Sequence, residues 1–167
     1  MKEDKTHSDP TTSVHGFSPG FAALGLEASL LATLETLGYE EPTPIQREAI
    51  PPLLSGRDVL GQAATGTGKT AAFSLPLLQR IAHAPRQRPS ALILVPTREL
   101  AVQVGEAVQR YGKELRMSVL AIYGGQAMGP QLQALRRGVD VVVATPGRAL
   151  DHLRRQTLRL AGLQVVV

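Results

Sequence analysis

The fold of this chain is decided by the stretch Ala63-Ala64-Thr65-Gly66-Thr67-Gly68-Lys69-Thr70. The apolar pair Val59-Leu60 precedes it and predicts a strand, and an Ala- and Leu-rich helical pattern follows from Ala71 to Ile81. A strand, a glycine-containing turn and a helix in that order direct the backbone N–H groups of the turn and of the helix start at one anion site. The stretch therefore predicts a phosphate-binding loop.

Each residue type in this loop suits that chemistry. Gly66 and Gly68 let the backbone approach a phosphate group closely, where a Cβ would obstruct it. Lys69 would place a positive charge on the outer phosphates of a nucleotide, and the Thr70 hydroxyl would bind Mg²⁺. Ala63 stands where the strict pattern G-x-x-x-x-G-K-[ST] has its first glycine, so a glycine turn with a surface lysine is the alternative.

The composition indicates one globular domain. The chain has 167 residues, 43% of them hydrophobic, which is enough for a sizeable core. It has no cysteine, which excludes disulfides and thiolate metal sites and is compatible with a reducing compartment. No apolar run reaches the roughly 18 residues of a membrane span, and the charged N-terminus is unlike a signal peptide. We therefore expect a cytoplasmic protein without a membrane partner.

The charge is unevenly distributed along the chain. Residues 1–50 contain three basic and eight acidic residues, whereas residues 51–167 contain 15 basic and six acidic residues. Most of the basic residues are arginine, whose planar guanidinium suits phosphate groups. This bias favours a polyanionic partner, although a solvated basic surface explains it equally well.

Apolar runs alternate with helical patterns along the chain. Residues 1–16 contain almost nothing to bury and predict a disordered tail before a domain at 17–167. Apolar residues at helical spacing from Phe21 to Leu37 predict a helix that Gly38 ends. Further helices are predicted at about 45–54, 98–111, 130–137 and 148–155, and further strands at 91–95, 118–123, 139–144 and 163–167.

This alternation is typical of an α/β domain with a mostly parallel sheet. Ligands of such sheets bind beyond the carboxyl ends of the strands, so we expect the candidate functional loops at one edge of the sheet. Those loops are Gly66–Thr70, Pro96-Thr97-Arg98-Glu99, Gly124-Gly125 and Thr145-Pro146-Gly147-Arg148.

The last three of these loops suit a second anion. Pro96–Glu99 and Thr145–Arg148 each combine a helix start, a threonine hydroxyl and an arginine, and Gly124-Gly125 permits the close approach of another backbone. Each loop alone is also explained by ordinary helix capping or by a turn. Together, beside a phosphate loop, they favour a long phosphate-bearing ligand in addition to a nucleotide.

Two residues upstream of the phosphate loop suit a nucleotide base. The Gln46 amide can donate to and accept from the N6/N7 edge of adenine, and the Tyr39 ring offers a stacking face. Taken alone, Tyr39 is better explained as a core or rim aromatic, and Gln46 as an exposed helix residue.

With these residues assembled, the sequence from about Phe21 to Val167 resembles the first RecA-like domain of DEAD-box ATP-dependent RNA helicases. Phe21 resembles the isolated upstream aromatic of that family, and residues 38–46 resemble its adenine-recognising Q motif, which spans 21–49 here. Ala63–Thr70 resembles motif I, in which Ala63 is the usual residue. Residues 96–101, 124–125 and 145–148 resemble the RNA-contacting motifs Ia, GG and Ib.

The resemblance implies a P-loop NTPase fold, with helices on both faces of the sheet, and RNA-dependent ATP hydrolysis coupled to duplex unwinding. It implies ATP and Mg²⁺ as cofactors and RNA, read mainly through its backbone, as the partner. Adenine contacts are implied for Phe21, Tyr39 and Gln46, with phosphate contacts for Ala63, Ala64, Thr65, Gly66, Thr67, Gly68, Lys69 and Thr70. Lys69 and Thr70 are implied to be catalytic, Thr70 through Mg²⁺. RNA contacts are implied for Pro96, Thr97, Arg98, Glu99, Gly124, Gly125, Thr145, Pro146, Gly147 and Arg148.

The sequence departs from the family pattern in three places. Ala64 stands where the family often has Gln and Ala149 where it usually has Leu, and we expect both departures to be mild. Leu163–Val167 resembles the strand that leads into the Asp-Glu-Ala-Asp motif, so an incomplete sheet without the acidic Mg²⁺ ligands or the second domain is expected. A chain of this extent is expected not to unwind RNA.

Three alternatives to a helicase portion remain open. They are an autonomous nucleotide-binding module, a non-catalytic RNA-binding remnant and a truncated product without a stable fold.

Overall fold

The structure is a computed structural model that describes residues 19–85 and 88–167. The tail predicted at residues 1–16 lies outside the described residues. The helices are α1 (Pro19–Ala22), α2 (Ala28–Thr36), α3 (Pro44–Leu54), α4 (Lys69–Ile81), α5 (Arg98–Tyr111), α6 (Met128–Arg137) and α7 (Pro146–Arg154). The strands are β1 (Ala91–Leu94), β2 (Val119–Ile122), β3 (Val141–Ala144) and β4 (Val165–Val166).

Within the described residues, the strands form one sheet in the order β2-β3-β1-β4, and every pair is parallel. Ala91 of β1 pairs with Val141 of β3 and with Val165 of β4, and Val141 also pairs with Val119 of β2. The strands are almost wholly apolar, as strands covered on both faces require. The predicted α/β domain with a parallel sheet is confirmed.

The two faces of the sheet contribute to two separate hydrophobic clusters. Ile93 and Val143 belong to a cluster with residues of α2, α4 and α5. Leu92 and Val142 belong to a second cluster with Ala149 of α7. Because successive side chains of a strand point to opposite faces, this division shows that helices cover both faces of the sheet.

The prediction of a single helix from Phe21 to Leu37 is wrong. The chain forms two helices there, α1 and α2, with a turn between them. Gly25 lies in that turn with a φ of +85°. A positive φ is incompatible with a right-handed helix and is readily adopted by glycine, so Gly25 breaks the helix. Gly38, with a φ of +75°, follows the C-cap residue Leu37 and ends α2 as predicted.

The prediction of a strand at Val59-Leu60 is also wrong. These residues lie outside the sheet, and the Leu60 side chain is fully exposed. A cavity of about 740 Å³ is lined on one side by residues 56–61 and on the other by residues 164–167. Strands pair at a spacing of about 4.8 Å. Among the described residues no strand pairs with the outer edge of β4, and the cavity separates Val59-Leu60 from that edge, so no ladder forms between them.

None of the described helices is long and apolar enough to cross a membrane.

Candidate functional site

The phosphate loop, residues 63–70, is closed around the ammonium group of its own lysine. Lys69 Nζ donates to the carbonyl oxygens of Ala63 and Ala64, each at 2.6 Å. The Thr67 hydroxyl donates to the Ala64 carbonyl at 2.8 Å, so a second side chain of the loop is bonded to the loop backbone. The loop therefore holds a positive charge at its centre, which is the electrostatic condition for binding an anion.

Two left-handed glycines shape this loop. Gly66 has a φ of +82° and Gly68 a φ of +89°, and Gly68 is the N-cap residue of α4. A Cβ at Gly68 would overlap the Gln46 side-chain amide, so the position requires glycine for both space and backbone angle. The helix begins at Lys69, which directs the first N–H groups of α4 toward the loop.

Gln46 connects the segment before α3 with the phosphate loop. Its side chain is only 1% exposed. Its Oε1 accepts from the Thr43 backbone N–H at 2.9 Å, and its Nε2 donates to the Gly68 carbonyl at 3.2 Å. The Thr43 hydroxyl is buried beside Gly68 with no hydrogen-bond partner among the described residues. The interpretation of Gln46 as an exposed helix residue is therefore wrong.

The aromatic residues predicted near the base pack on one another. The Tyr39 ring meets Phe21 and Tyr111 edge-on, with centroid separations of 6.0 and 6.1 Å. The hydroxyl groups of Tyr39 and Tyr111 are hydrogen-bonded at 2.7 Å. Burial, and next this bond to Tyr39, raise the pKa of Tyr111 well above its ordinary value, so the phenol stays neutral. Phe21 is buried and Tyr39 half-buried, and their contact with adenine stays a prediction.

The other three predicted loops meet in one groove, which we call the three-loop groove. It has a volume of about 550 Å³. Its lining residues are Pro96, Thr97, Arg98, Glu99, Gly124, Thr145, Gly147, Arg148 and Asp151. The loops follow β1, β2 and β3, whose carboxyl ends lie side by side in the parallel sheet. The sequence-based expectation that these loops share one edge of the sheet is confirmed.

Arg98 and Gly125 are in close contact beside this groove. A Cβ at Gly125 would overlap the Arg98 guanidinium, and Gly125 has a φ of +85°. The neighbouring Gly124 has open space around it. Of the two glycines, only Gly125 is therefore required by its surroundings, because it lets the guanidinium lie against the backbone.

The start of α5 is capped by a residue of the groove. The Thr97 hydroxyl accepts from the Leu100 N–H at 3.2 Å, whereas Thr145, the N-cap of α7, makes no such side-chain bond. Glu99 lies in the first turn of α5, where a negative charge is favourable. The capping interpretation of Thr97 is thus confirmed, and its RNA contact stays a prediction.

Arg148 is held by two hydrogen bonds from behind the groove. Its Nη1 donates to Gln131 Oε1 at 3.2 Å, and its Nη2 donates to the Gln126 carbonyl at 3.1 Å. The guanidinium has five N–H donors, so these bonds fix its plane and leave other donors for an anion.

A fully buried histidine completes the polar network under Arg148. His152 Nε2 lies 3.1 Å from Gln131 Oε1, and its Nδ1 lies 2.8 Å from the Thr157 hydroxyl. Burial, and next the positive charge of Arg148, lower the pKa of His152 below its ordinary value of 6.5. The ring is therefore neutral at pH 7.

Four residues at or beneath this groove belong to none of the predicted loops: Gln126, Gln131, Asp151 and His152. Glutamine and histidine at helical positions carry no periodic signal that separates a buried polar role from an exposed one. The one available signal was proximity in sequence, because Asp151 and His152 follow Arg148 within one turn of α7. Gln131 had no signal at all.

Comparison with known proteins agrees with this arrangement of loops. The model of the DEAD/DEAH box helicase family matches residues 43–167. The ATP-dependent RNA helicase DeaD of Escherichia coli (strain K12) is 57% identical over 152 residues, which cover 90% of this chain and 24% of DeaD. The DEAD-box ATP-dependent RNA helicase CshA of Bacillus cereus is 50% identical over 147 residues, which cover 88% of this chain and 28% of CshA.

A solved structure is similar as well. The crystal structure of the RNA-helicase Prp28 from Chaetomium thermophilum bound to ADP matches with a TM-score of 0.82 and 44% identity. The match covers 88% of this chain and 37% of the Prp28 chain. The chain thus spans about a quarter of the length of the curated relatives named above. Its loops, its parallel sheet and its sequence show that the chain belongs to the DEAD/DEAH box helicase family.

Proposed function

We propose that residues 17–167 are the ATP-binding and RNA-backbone-binding portion of an ATP-dependent RNA helicase. The observation that carries the proposal is the convergence of three anion-compatible loops, with Arg98 and Arg148, in one groove of a domain that also has a phosphate loop. A nucleotide and a sugar–phosphate chain are the two ligands that suit these two sites. In the whole protein, the proposed activity is RNA-stimulated ATP hydrolysis coupled to duplex unwinding.

The phosphate loop would act by positioning and by charge. Lys69 would exchange the Ala63 and Ala64 carbonyls for the outer phosphate oxygens, which are stronger acceptors because they are ionised. The Thr70 hydroxyl, half-buried beside Lys69, is an oxygen donor of the kind that Mg²⁺ prefers, so it would hold the ion together with the nucleotide phosphates. ATP with Mg²⁺ supplies the transferable phosphoryl group, and the loop fixes its position.

The base would lie near the segment before α3. Gln46 is the proposed adenine contact. Because both polar atoms of its amide are bound to Thr43 and Gly68, Gln46 would have to exchange these bonds for the base edge, and that exchange would link recognition of the base to the shape of the phosphate loop. Tyr39 and Phe21 are proposed to support this site from the aromatic cluster.

The chain by itself is proposed to bind nucleotide and RNA without unwinding, since it spans about a quarter of its helicase relatives. A second candidate is a non-catalytic RNA-binding role. It is favoured by the contrast between Lys69, which is bound to its own loop, and Arg148, which is already oriented by Gln131 and Gln126.

Binding titrations with two variants test the proposal. A fluorescent ATP analogue and a labelled single-stranded RNA are titrated separately into the wild-type chain, Lys69→Ala and Arg148→Ala. Lys69→Ala is expected to lower nucleotide affinity roughly 30-fold, the size of a charge-assisted bond to phosphate, and to leave RNA affinity unchanged. Arg148→Ala is expected to lower RNA affinity and to reduce its salt dependence by about one phosphate contact.

Matched controls are Lys113→Ala and Arg154→Ala, which remove exposed charges elsewhere, the second of them on the same helix as Arg148. Nucleotide binding that is insensitive to Lys69→Ala would contradict the proposal for the phosphate loop. RNA binding that is salt-dependent and independent of nucleotide, with no nucleotide binding at all, would favour the second candidate.

A further inference from the structure

A single buried glutamine of α6 connects two of the three loops of the groove. Gln131 is 3% exposed, although its helix is otherwise half-buried or exposed. Its Nε2 donates to the Tyr123 carbonyl at 3.2 Å and to Gln126 Oε1 at 3.3 Å, both in the segment around Gly124-Gly125. Its Oε1 faces Arg148 and His152 of α7. One amide group thus touches both the loop after β2 and the loop after β3.

The orientation of this amide follows from the chemistry of its neighbours. A guanidinium can only donate, so the Gln131 atom 3.2 Å from Arg148 Nη1 is the oxygen. The amide nitrogen then faces the Tyr123 carbonyl, which can only accept. Reversing the amide would place a donor against a donor and an acceptor against an acceptor. The orientation is therefore fixed at both ends.

The same oxygen determines the protonation of His152. Since Gln131 Oε1 can only accept, His152 Nε2 carries the hydrogen, and Nδ1 of the neutral ring can only accept. The Thr157 hydroxyl lies 2.8 Å from this Nδ1 and 3.0 Å from the His152 carbonyl oxygen, and its single hydrogen serves one of these two acceptors at a time. His152 is completely buried, so it holds Gln131 Oε1 from the side opposite to solvent. The two neighbours leave Gln131 Oε1 with both of its acceptor sites occupied.

Without Gln131, Arg148 would keep one of its two described partners, the Gln126 carbonyl. Even that partner depends on Gln131, because Gln131 Nε2 binds the Gln126 side chain and the Tyr123 carbonyl three residues earlier. A long arginine side chain with a single bond retains several rotamers. Loss of one buried amide would therefore release the guanidinium and the loop together.

From this geometry we infer that Gln131 is a positioning residue, which holds the Arg148 guanidinium and the 123–126 loop in the relative arrangement that an RNA backbone binds. The inference rests on the proposed function of the three-loop groove and deepens it. Gln131 itself lies beneath the groove and touches the ligand through neither of its polar atoms, since both are bound to protein.

The direct test is a spectrum of Arg148 in the free protein. In ¹⁵N-labelled chain, the Arg148 side-chain signals are identified by their loss in Arg148→Ala. Gln131→Met, which keeps the volume and removes both polar atoms, is expected to shift these signals and the backbone amides of Gly124 and Gly125. The matched control is Gln133→Met, two residues along the same helix at an exposed position, and it is expected to shift neither.

A second variant separates the two ends of the bridge. Gln131→Glu keeps an acceptor for Arg148 but removes the donor to the Tyr123 carbonyl. It is expected to keep Arg148 ordered and to shift the Gly124 and Gly125 amides. If thermal unfolding shows that Gln131→Met is too unstable to study, Gln131→Glu tests the positioning role instead. Unshifted Gly124 and Gly125 amides in Gln131→Glu would overturn the inference.

RNA titrations connect the positioning to binding. Gln131→Met is expected to lower affinity for single-stranded RNA roughly tenfold, the size of one charge-assisted hydrogen bond, without changing affinity for the ATP analogue. Because Gln131 acts through Arg148 and the loop, the double variant with Arg148→Ala should bind RNA less than tenfold more weakly than Arg148→Ala alone. A structural defect would lower nucleotide affinity as well.

The outcomes separate the two hypotheses. If Arg148→Ala leaves RNA affinity unchanged, the proposed function of the groove is wrong. If Arg148→Ala weakens RNA binding but Gln131→Met changes neither the Arg148 signals nor RNA affinity, the proposed function stands and the positioning role is wrong. Full additivity of the two substitutions would also overturn the positioning role.

Discussion

The phosphate loop and the three-loop groove both offer a cation to an anion, but they hold that cation differently. The ammonium group of Lys69 is bound by two carbonyl oxygens of the loop it serves. The guanidinium of Arg148, which lines the groove, is bound by Gln131 and the Gln126 carbonyl, and these two bonds leave other N–H donors of the guanidinium for a ligand. A ligand of the phosphate loop must therefore displace existing hydrogen bonds, whereas a ligand of the groove adds new ones.

This difference concerns preorganisation. A site whose donors are already fixed loses little side-chain entropy when its ligand binds. A lysine that must change partners gives up two hydrogen bonds before it gains any, so the net gain depends on the ionised oxygens of the incoming phosphate. We expect the groove to be the better-ordered site in the free protein and the phosphate loop to change more on binding.

The largest expected effect is that of Gln46→Ala, because Gln46 connects the segment before α3 with the phosphate loop. The substitution removes the bonds to the Thr43 N–H and the Gly68 carbonyl, and it leaves the part-buried Thr43 N–H without this partner, whereas the Gly68 carbonyl keeps its bond from the Ala72 N–H. We expect a loss of about 2 kcal/mol in the free energy of unfolding, measured by urea denaturation, together with weaker nucleotide binding. Gln103→Ala, at an exposed position of α5, is the control and should change neither quantity. An unchanged unfolding midpoint for Gln46→Ala would show that the bridge does not stabilise the loop.

The next largest effect is expected for Gly125→Ala beside the three-loop groove, compared with the same substitution at Gly124. Gly125→Ala would place a side chain at a φ of +85°, a backbone conformation that L residues rarely adopt, so we expect a loss of about 1–2 kcal/mol in stability. The new Cβ would also displace the Arg98 guanidinium, so we expect weaker RNA binding. Gly124→Ala has open space around it and is the matched control, expected to be nearly neutral in thermal unfolding. Equal losses of stability for the two variants would contradict the strain at Gly125, and unchanged RNA affinity in Gly125→Ala would contradict a role for its contact with Arg98.

A third prediction uses pH to disturb the network under the groove. Burial, and next the charge of Arg148, lower the pKa of His152, with Asp151 acting in the opposite direction and Arg155 in the same one. The unfolded chain therefore binds a proton at a higher pH than the folded chain does. Stability contributed by neutral His152 is present above about pH 6.5 and is lost as the pH falls below it, by at most about 1.4 kcal/mol per pH unit.

Urea denaturation between pH 5 and 8 measures this slope. His152→Gln should flatten it, whereas His83→Asn, which removes an exposed histidine, should leave it unchanged. If His152→Gln keeps the wild-type slope, another group is responsible for the acid sensitivity.

The smallest expected effect compares two helix caps on the groove. Thr97→Ala removes the bond to the Leu100 N–H and should lower the free energy of unfolding by about 1 kcal/mol. Thr145→Ala removes a hydroxyl that makes no capping bond to α7, so its loss should be smaller when both are measured by thermal unfolding. The reverse order would mean that the two helix starts are stabilised in another way.

The sheet and its loops could be predicted because their signals are local. Runs such as 91–95 and 141–144 are apolar throughout, which is typical of strands covered on both faces, and helix-start residues follow them directly. Parallel strands bring the loops that follow them to one edge of the sheet, so the shared edge was predictable, whereas the order β2-β3-β1 that makes the three loops neighbours was not predicted. This part needed no knowledge of side-chain contacts.

The errors arose where structure depends on distant partners. Val59-Leu60 is apolar, but a strand needs a neighbour at hydrogen-bonding distance, and sequence does not say whether one is there. Gln131 of α6 and His152 of α7 are polar, and their burial depends on each other and on Arg148 of α7, so the network joins two different elements. Such a network satisfies its members only as a whole, so no single residue of it carries a sequence signal.

The outer edge of β4 has a consequence for how the protein behaves in concentrated solution. Val166 is 61% exposed there, and among the described residues no strand covers the N–H and C=O groups along that edge. Edges of this kind recruit other strands, because a new ladder satisfies both partners at once. Val165-Val166-Val167 combines that free ladder with high β-propensity and no charged side chain. Self-association of the 167-residue chain should therefore begin at this edge and rise with protein concentration.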